Sequence, residues 1–373
     1  MTAHTDRTPE HPPRHDPPDG TPVHPTPAAP VSVPAPAASR PDALVRARAI
    51  VDPVLRAAVA TLPPAMRRIA AYHFGWADAA GNPARADPGK AIRPAMVLAS
   101  AHAHGAAPEP AMRAAAAVEL AHNFTLLHDD VMDRDTTRRH RPTAWAVFGV
   151  PDAILAGDAV HALALRLLAE DPHPAAPAAA ARLAACIAEI CEGQHDDCSF
   201  ESRERVALDE CLRMAEAKTG ALLGCACAIG ALYARAPEPA VTAMDGFGRR
   251  IGLAFQLADD LIGIWGDPRV TGKPAGADLA VRKKSLPVVA ALASGTPDAD
   301  ALAALYRTPG ALAPEQIRAA ADAVERAGGR DWAQAQAADY MADAVDRLAR
   351  AVPDADAADD LLTLAELATR RER

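Results

Sequence analysis

The chain has 373 residues, a formal net charge of −9, 50% apolar residues and only 4% aromatic ones. That acidic balance, with no basic stripe, excludes a general nucleic-acid binder, and the shortage of β-branched and aromatic strand formers favours helix over sheet. No apolar run approaching the roughly 20 residues needed to span a bilayer is expected. Residues 1–40 lack the apolar core of a signal peptide.

Twelve prolines fall between Met1 and Pro41, among scattered His, Asp and Thr. Such a segment buries too little apolar surface to offset its chain entropy, so 1–40 is expected to be a disordered tail. From Asp42 the pattern turns helical and stays so. Helices are predicted near 42–61, 65–78, 89–104, 111–133, 152–170, 176–194, 207–234, 239–265, 281–294, 314–327, 331–351 and 356–370. Proline and glycine clusters separate them, as at Ala236-Pro237-Glu238-Pro239. The expectation is one all-α domain over 41–373, a large bundle around a central cavity. The six cysteines lack CxxC spacing, which reads as small residues in a reducing, cytoplasmic compartment.

Chemistry concentrates at a few places. Gly89-Lys90-Ala91-Ile92-Arg93-Pro94 opens a helix with two cations on one side, where the helix N-terminus already favours anions. Alone, such a pair is more often solvated surface. The 111–132 stretch carries its apolar side on Val118, Leu120, Phe124, Leu127 and Val131, and then ends in acids. Asp129 and Asp133 lie four apart on one helical face, with Asp130 beside them, and His122 shares that face two turns earlier. A lone helical His is usually structural; its alignment with the acids is what raises it. Arg138 and Arg139 follow just past the helix end. Carboxylates that hold Mg²⁺ through a few bonds, beside arginines that clamp phosphate, fit a metal–diphosphate site.

Further along, Gly193-Gln194-His195-Asp196-Asp197 ends a helix, and its acids read equally well as caps. Lys218-Thr219 sits inside an apolar run, so the lysine either snorkels or faces a polar cavity. The second acidic cluster is Phe255-Gln256-Leu257-Ala258-Asp259-Asp260, where Gln256 joins the acid face. Cationic loops follow at Thr271-Gly272-Lys273-Pro274 and Arg282-Lys283-Lys284. Two acidic helices, each followed by a cationic loop, can grip a diphosphate between them if they face each other.

These motifs, in this order over about 45–350, resemble the trans-isoprenyl diphosphate synthases (polyprenyl synthetases), and among them the geranylgeranyl diphosphate synthases. The resemblance rests on Gly89-Lys90 with Arg93-Pro94, Asp129-Asp130-Val131-Met132-Asp133, Arg138-Arg139 and Gly157-Asp158. It continues through Gly193-Gln194, Lys218-Thr219, Phe255-Gln256 with Asp259-Asp260, Thr271-Gly272-Lys273 and Lys283. It implies that Asp129, Asp133 and Asp259, with Asp130 and Asp260 supporting, bind a cluster of about three Mg²⁺ ions around an allylic diphosphate. Arg138, Lys218 and Lys273 would contact that diphosphate. Lys90, Arg93, His122 and Arg139 would hold isopentenyl diphosphate. Thr219 and Gln256 would face the reacting carbons, and Phe124 beside the smaller Thr125 would floor the hydrocarbon pocket, as in C20-forming enzymes. Related enzymes are usually homodimers.

Two departures stand out. The family's second motif usually ends in a third aspartate where this chain has Gly263, and His140 stands where glycine is common. Gly263 lends some support to a terpene cyclase on the same fold, but a cyclase has no use for a second diphosphate site. A non-catalytic partner subunit is expected to have lost motif residues that this chain keeps.

Overall fold

The computed structural model describes residues 42–87, 89–271, 275–352 and 354–369. The expected disordered tail, Lys273 and the terminal Arg370–Arg373 lie outside the described residues.

Each predicted helix is present, with shifted ends. Ala43–Ala60 begins at Asp42, whose side chain accepts from the Leu44 N–H at 3.0 Å and satisfies one of the orphan donors of the first turn. The acid-bearing helices are Met112–Met132 and Glu238–Trp265. The first packs on Val150–Ala169; the second packs on Ala221–Tyr233 and Gly329–Ala351. Ala221–Tyr233 also touches Ile92–Ala103 and Met112–Met132, so it runs through the interior, with every residue except Leu232 buried. A helix apolar all round has to be covered on all sides, which explains its place. Consecutive small residues such as Ala114, Ala115, Ala116 and Ala117, all 0% exposed, let neighbouring helices approach closely.

Four features differ from expectation. First, one stretch, Leu208–Tyr233, is long and apolar enough to cross a membrane, yet 72% of its most apolar window is buried inside the fold, as in a core helix. Second, that stretch is not one regular helix: Leu208–Ala215 passes through a π turn, Glu216–Gly220, before Ala221–Tyr233. Third, the helix expected over 176–194 runs on to Ser202, placing Asp196 and Asp197 inside it. Gly193 does not stop it, because that glycine serves a contact: a Cβ there would lie 2.6 Å from the Lys218 backbone nitrogen. Fourth, Pro297–Arg307 is an additional helix, capped by Thr296 with Pro297 in its first turn.

The only strand pair among the described residues is the hairpin Thr137–Arg138 with Arg141–Pro142. Its turn residues Arg139 and His140 sit at φ +50° and +60°. A two-residue turn of this kind needs left-handed backbone at both positions, which is why glycine suits position 140 and why His, among the more tolerant residues there, is admitted.

Gly193→Ala should destabilise the fold by about 1–3 kcal/mol, the usual cost of forcing extra volume into a close contact. A thermal midpoint unchanged from the parent would show that the two elements separate freely.

Candidate active site

A cavity of about 620 Å³ opens between the two acid-bearing helices. Asp129 reaches it from one side, and Gln256, Asp259 and Asp260 from the other. Lys90, Arg93, His122, Arg138 and Arg139 line it as well, as do Lys218 and Thr219 from the π turn. Asp133 borders an adjoining groove of about 1370 Å³, whose wall shares Asp135, Asp197, Lys218 and Lys283 with the cavity. The predicted site residues that are described thus gather in one place, apart from Asp130 and Phe124.

Burial pushes the Asp129 carboxyl up to about 6; Lys218 opposes this, while Asp133 and Asp130 reinforce it. Asp133 is raised for the same first reason, against the pull of Lys218. Asp129 is half-buried and Asp133 lies exposed at the rim, so the two carboxylates present their oxygens to an open space. Hard divalent cations suit such oxygens, so the donor set fits Mg²⁺. No three acidic or imidazole groups converge on one point among the described residues.

Asp130 is turned away from this space. It is 1% exposed, and its Oδ1 accepts from Arg138 Nε at 2.7 Å. Burial lifts its pKa to about 6, with Arg138 opposing. Its side chain hydrogen-bonds a guanidinium, an orientation that does not match the supporting metal role the family resemblance implies.

The basic wall carries a hidden counter-charge. Arg93 donates from Nη1 to His122 Nε2 at 3.2 Å, which makes that imidazole nitrogen the acceptor. Burial and then Arg93 hold His122 well below its ordinary pKa, so the ring is neutral. Behind them Glu119, 7% exposed, accepts from Asn123 Nδ2 at 3.0 Å and bears electrostatically on Arg93 and Arg139. Sequence reasoning passed over Glu119, although a lone carboxyl in the apolar run Ala114–Ala121 was a visible signal.

Lys218 Nζ donates to Asp197 Oδ2 at 2.6 Å. Burial alone would lower the lysine pKa; Asp197 and Asp129 more than offset it. Thr219 Oγ1 donates to Gln256 Oε1 at 2.8 Å, and Gln256 Nε2 donates to Asp260 Oδ1 at 2.8 Å. Asp260 Oδ2 accepts from the Leu286 N–H at 2.9 Å. Lys283 is half-buried, and Asp260, Asp278, Asp197 and Asp259 raise its pKa against that desolvation. Asp197 and Asp278 join the site only through pairing of distant segments, so local spacing could not nominate them.

Gly263 is explained by Asp278. A Cβ at 263 would overlap the Asp278 carboxylate, which lies against that glycine. The chain therefore places a carboxylate from the Ala277–Ala280 turn where a side chain at 263 would begin.

Phe124 does not border the cavity; Thr125 and Leu126 do. Its ring stacks on His161 at 4.8 Å and meets His128 edge-on at 5.2 Å, filling the gap between Met112–Met132 and Val150–Ala169.

Comparison with known proteins gives a consistent picture. The Polyprenyl synthetase family profile matches residues 76–324. A geranylgeranyl diphosphate synthase of Mycobacterium tuberculosis is 48% identical over 330 residues, 88% of this chain and 93% of the relative. A (2E,6E)-farnesyl diphosphate synthase of the same organism is 46% identical over 317 residues, 84% of this chain and 88% of the relative. The crystal structure of a polyprenyl synthetase from Streptomyces coelicolor superposes with a TM-score of 0.84 at 46% identity, covering 88% of this chain and 99% of that one.

Gly263→Asp should lower activity, because the new side chain displaces Asp278. Steady-state rates and a thermal scan of the variant check this; a gain in rate would show that 263 is an empty ligand position.

Proposed function

This chain belongs to the polyprenyl synthetase family and is a prenyl diphosphate synthase, a transferase; from that premise we propose that it adds isopentenyl diphosphate to an allylic diphosphate and stops at the C20 product, geranylgeranyl diphosphate. The observation that carries the reading is that Asp129 and Asp259 border one cavity together with two sets of cations.

In this scheme the allylic diphosphate lies between Asp129, Asp133 and Asp259, with Arg138, Lys218 and Lys273 on its oxygens. Bound Mg²⁺, about three ions, supplies neutralisation of the departing diphosphate charge. Asp130 holds Arg138, and Asp197 holds Lys218, so both cations are aimed before substrate arrives. Isopentenyl diphosphate sits on Lys90, Arg93, His122 and Arg139, with Glu119 next to the arginines, its pKa raised by burial against the pull of Arg93. The allylic C–O bond breaks, the isopentenyl double bond attacks the resulting cationic carbon, and a proton leaves to the freed diphosphate. Thr219 and Gln256 face that carbon. Holding both reactants in register replaces a bimolecular encounter by a local one.

Chain length is the finer part of the proposal, since close relatives bear both C20 and C15 names. A single aromatic at 124 beside the smaller Thr125 supports the C20 reading, with the Phe124–His161 stack as the barrier, limiting chain length from behind the Thr125 and Leu126 that border the cavity. We also assign the chain to the cytoplasm, which its free cysteines support, and to a homodimer, which the exposed Ile154 and Leu155 of one helix face support.

Product chromatography after incubation with isopentenyl diphosphate, each allylic primer and Mg²⁺ should show a dominant C20 product. Hydrocarbon released from geranylgeranyl diphosphate alone would make the chain a cyclase, and an inert pure chain would make it a partner subunit. Phe124→Ala should shift products beyond C20 with the fold retained; an unchanged product distribution rejects the barrier.

A further inference from the structure

Asp260 stands directly after Asp259 in the second acidic motif, and the family resemblance gives both of them to the metal cluster, Asp260 in support. The geometry separates them. Asp260 is 3% exposed, and each of its oxygens accepts a hydrogen bond from the protein: Oδ2 from the Leu286 N–H at 2.9 Å, Oδ1 from Gln256 Nε2 at 2.8 Å.

An ionised carboxylate only accepts, and a backbone N–H only donates. The side-chain amide of Gln256 therefore has to turn its NH2 toward Asp260 and its carbonyl oxygen the other way. That oxygen accepts the Thr219 hydroxyl at 2.8 Å. With its proton committed to Gln256, Thr219 offers the cavity lone pairs only. One fixed acceptor thus sets the direction of every bond in the series from Leu286 through Asp260 and Gln256 to Thr219. Gln256 and Thr219 both line the cavity. Oxygen lone pairs aimed at a site of developing positive charge stabilise it; N–H and O–H protons aimed there oppose it.

We propose that Asp260 is a positioning residue that locks the Gln256 amide, so that Gln256 and Thr219 present oxygen lone pairs to the cationic carbon of the allylic substrate, and that it is not a metal ligand. The proposal rests on the prenyl-transfer reading above. It follows that the two adjacent aspartates do different work although both border the cavity: both oxygens of Asp260 are taken by the Leu286 N–H and the Gln256 amide.

Asp260→Asn is the direct test. The new carbonyl oxygen keeps the Leu286 N–H, so its NH2 points at Gln256. The Gln256 amide must then rotate, which directs its own NH2 at Thr219 and the Thr219 proton at the cavity. Turnover should fall about 100-fold, the scale of losing one preorganised electrostatic contact, with KM for the allylic substrate nearly unchanged. Adding Gln256→Glu restores an acceptor that takes both the Asn NH2 and the Thr219 hydroxyl. The double variant should therefore recover about tenfold or more over Asp260→Asn, a coupling that independent sites do not show.

Calorimetry with inorganic pyrophosphate and Mg²⁺ supplies a readout separate from turnover. Asp260→Asn should bind within about threefold of the parent, as an uncoupled site does, whereas Asp259→Asn should lose about tenfold or more. Circular dichroism confirms that each variant is folded. Equal losses of pyrophosphate binding in the two single variants, or no recovery in the double variant, overturns the proposal. A parent chain that forms no elongated product overturns prenyl transfer instead, and the calorimetric comparison still separates Asp260 from Asp259.

Discussion

A carboxylate removed from water costs several kcal/mol unless something offsets it, and this bundle gathers many of them at one cavity. Asp130 and Asp260 are offset from within, by Arg138 and by Gln256 with the Leu286 N–H. Asp197 is offset by Lys218. Asp129 and Asp133 keep a raised pKa despite Lys218. Burial nevertheless lifts Asp130 and Asp260 to about 6 as well, level with Asp129. What distinguishes the acids is geometry: Asp130, Asp197 and Asp260 each accept a hydrogen bond from a neighbouring side chain and so hold it in place.

The same logic, with opposite sign, governs the other wall. Arg93 and Arg139 are both lowered by burial, and Glu119 opposes that shift in each. Without Glu119 the bundle would hold unbalanced guanidiniums next to a neutral His122. With it, the wall remains cationic enough to receive a diphosphate while the empty state stays tolerable. Ligand binding at either wall then replaces a strained electrostatic state by a neutralised one, which is where binding strength in a low-dielectric pocket arises.

Much of this was legible in the residues. The helical period, the acid pairs one turn apart and the cations after them are local patterns, and local patterns survive folding because helix geometry fixes them. What was not legible depends on meetings between distant segments. Asp197 read as a cap because Gly193 looked like a stop; only the contact with Lys218 reveals why that glycine lies in mid-helix. Asp278 could not be related to Gly263 without the turn that brings them together. The different orientations of Asp129 and Asp130, or of Asp259 and Asp260, are likewise set by side-chain partners beyond the motif. Phe124 shows the limit from the other side, since an ideal helix already turns it away from Asp129 and the resemblance alone pointed to it.

The π turn at Glu216–Gly220 has a wider consequence. One surplus residue in a helix shifts all that follows by about 100° around the axis. Removing a residue here would restore regular winding and, in the same stroke, rotate the fully enclosed Ala221–Tyr233 cylinder against every neighbour. Conversely, the bundle interior holds that cylinder in phase and so keeps the distortion open at Lys218 and Thr219. An irregularity that looks like a local defect is thereby protected by a helix that is buried at every residue but Leu232, and single-residue deletions should be far less tolerated here than substitutions.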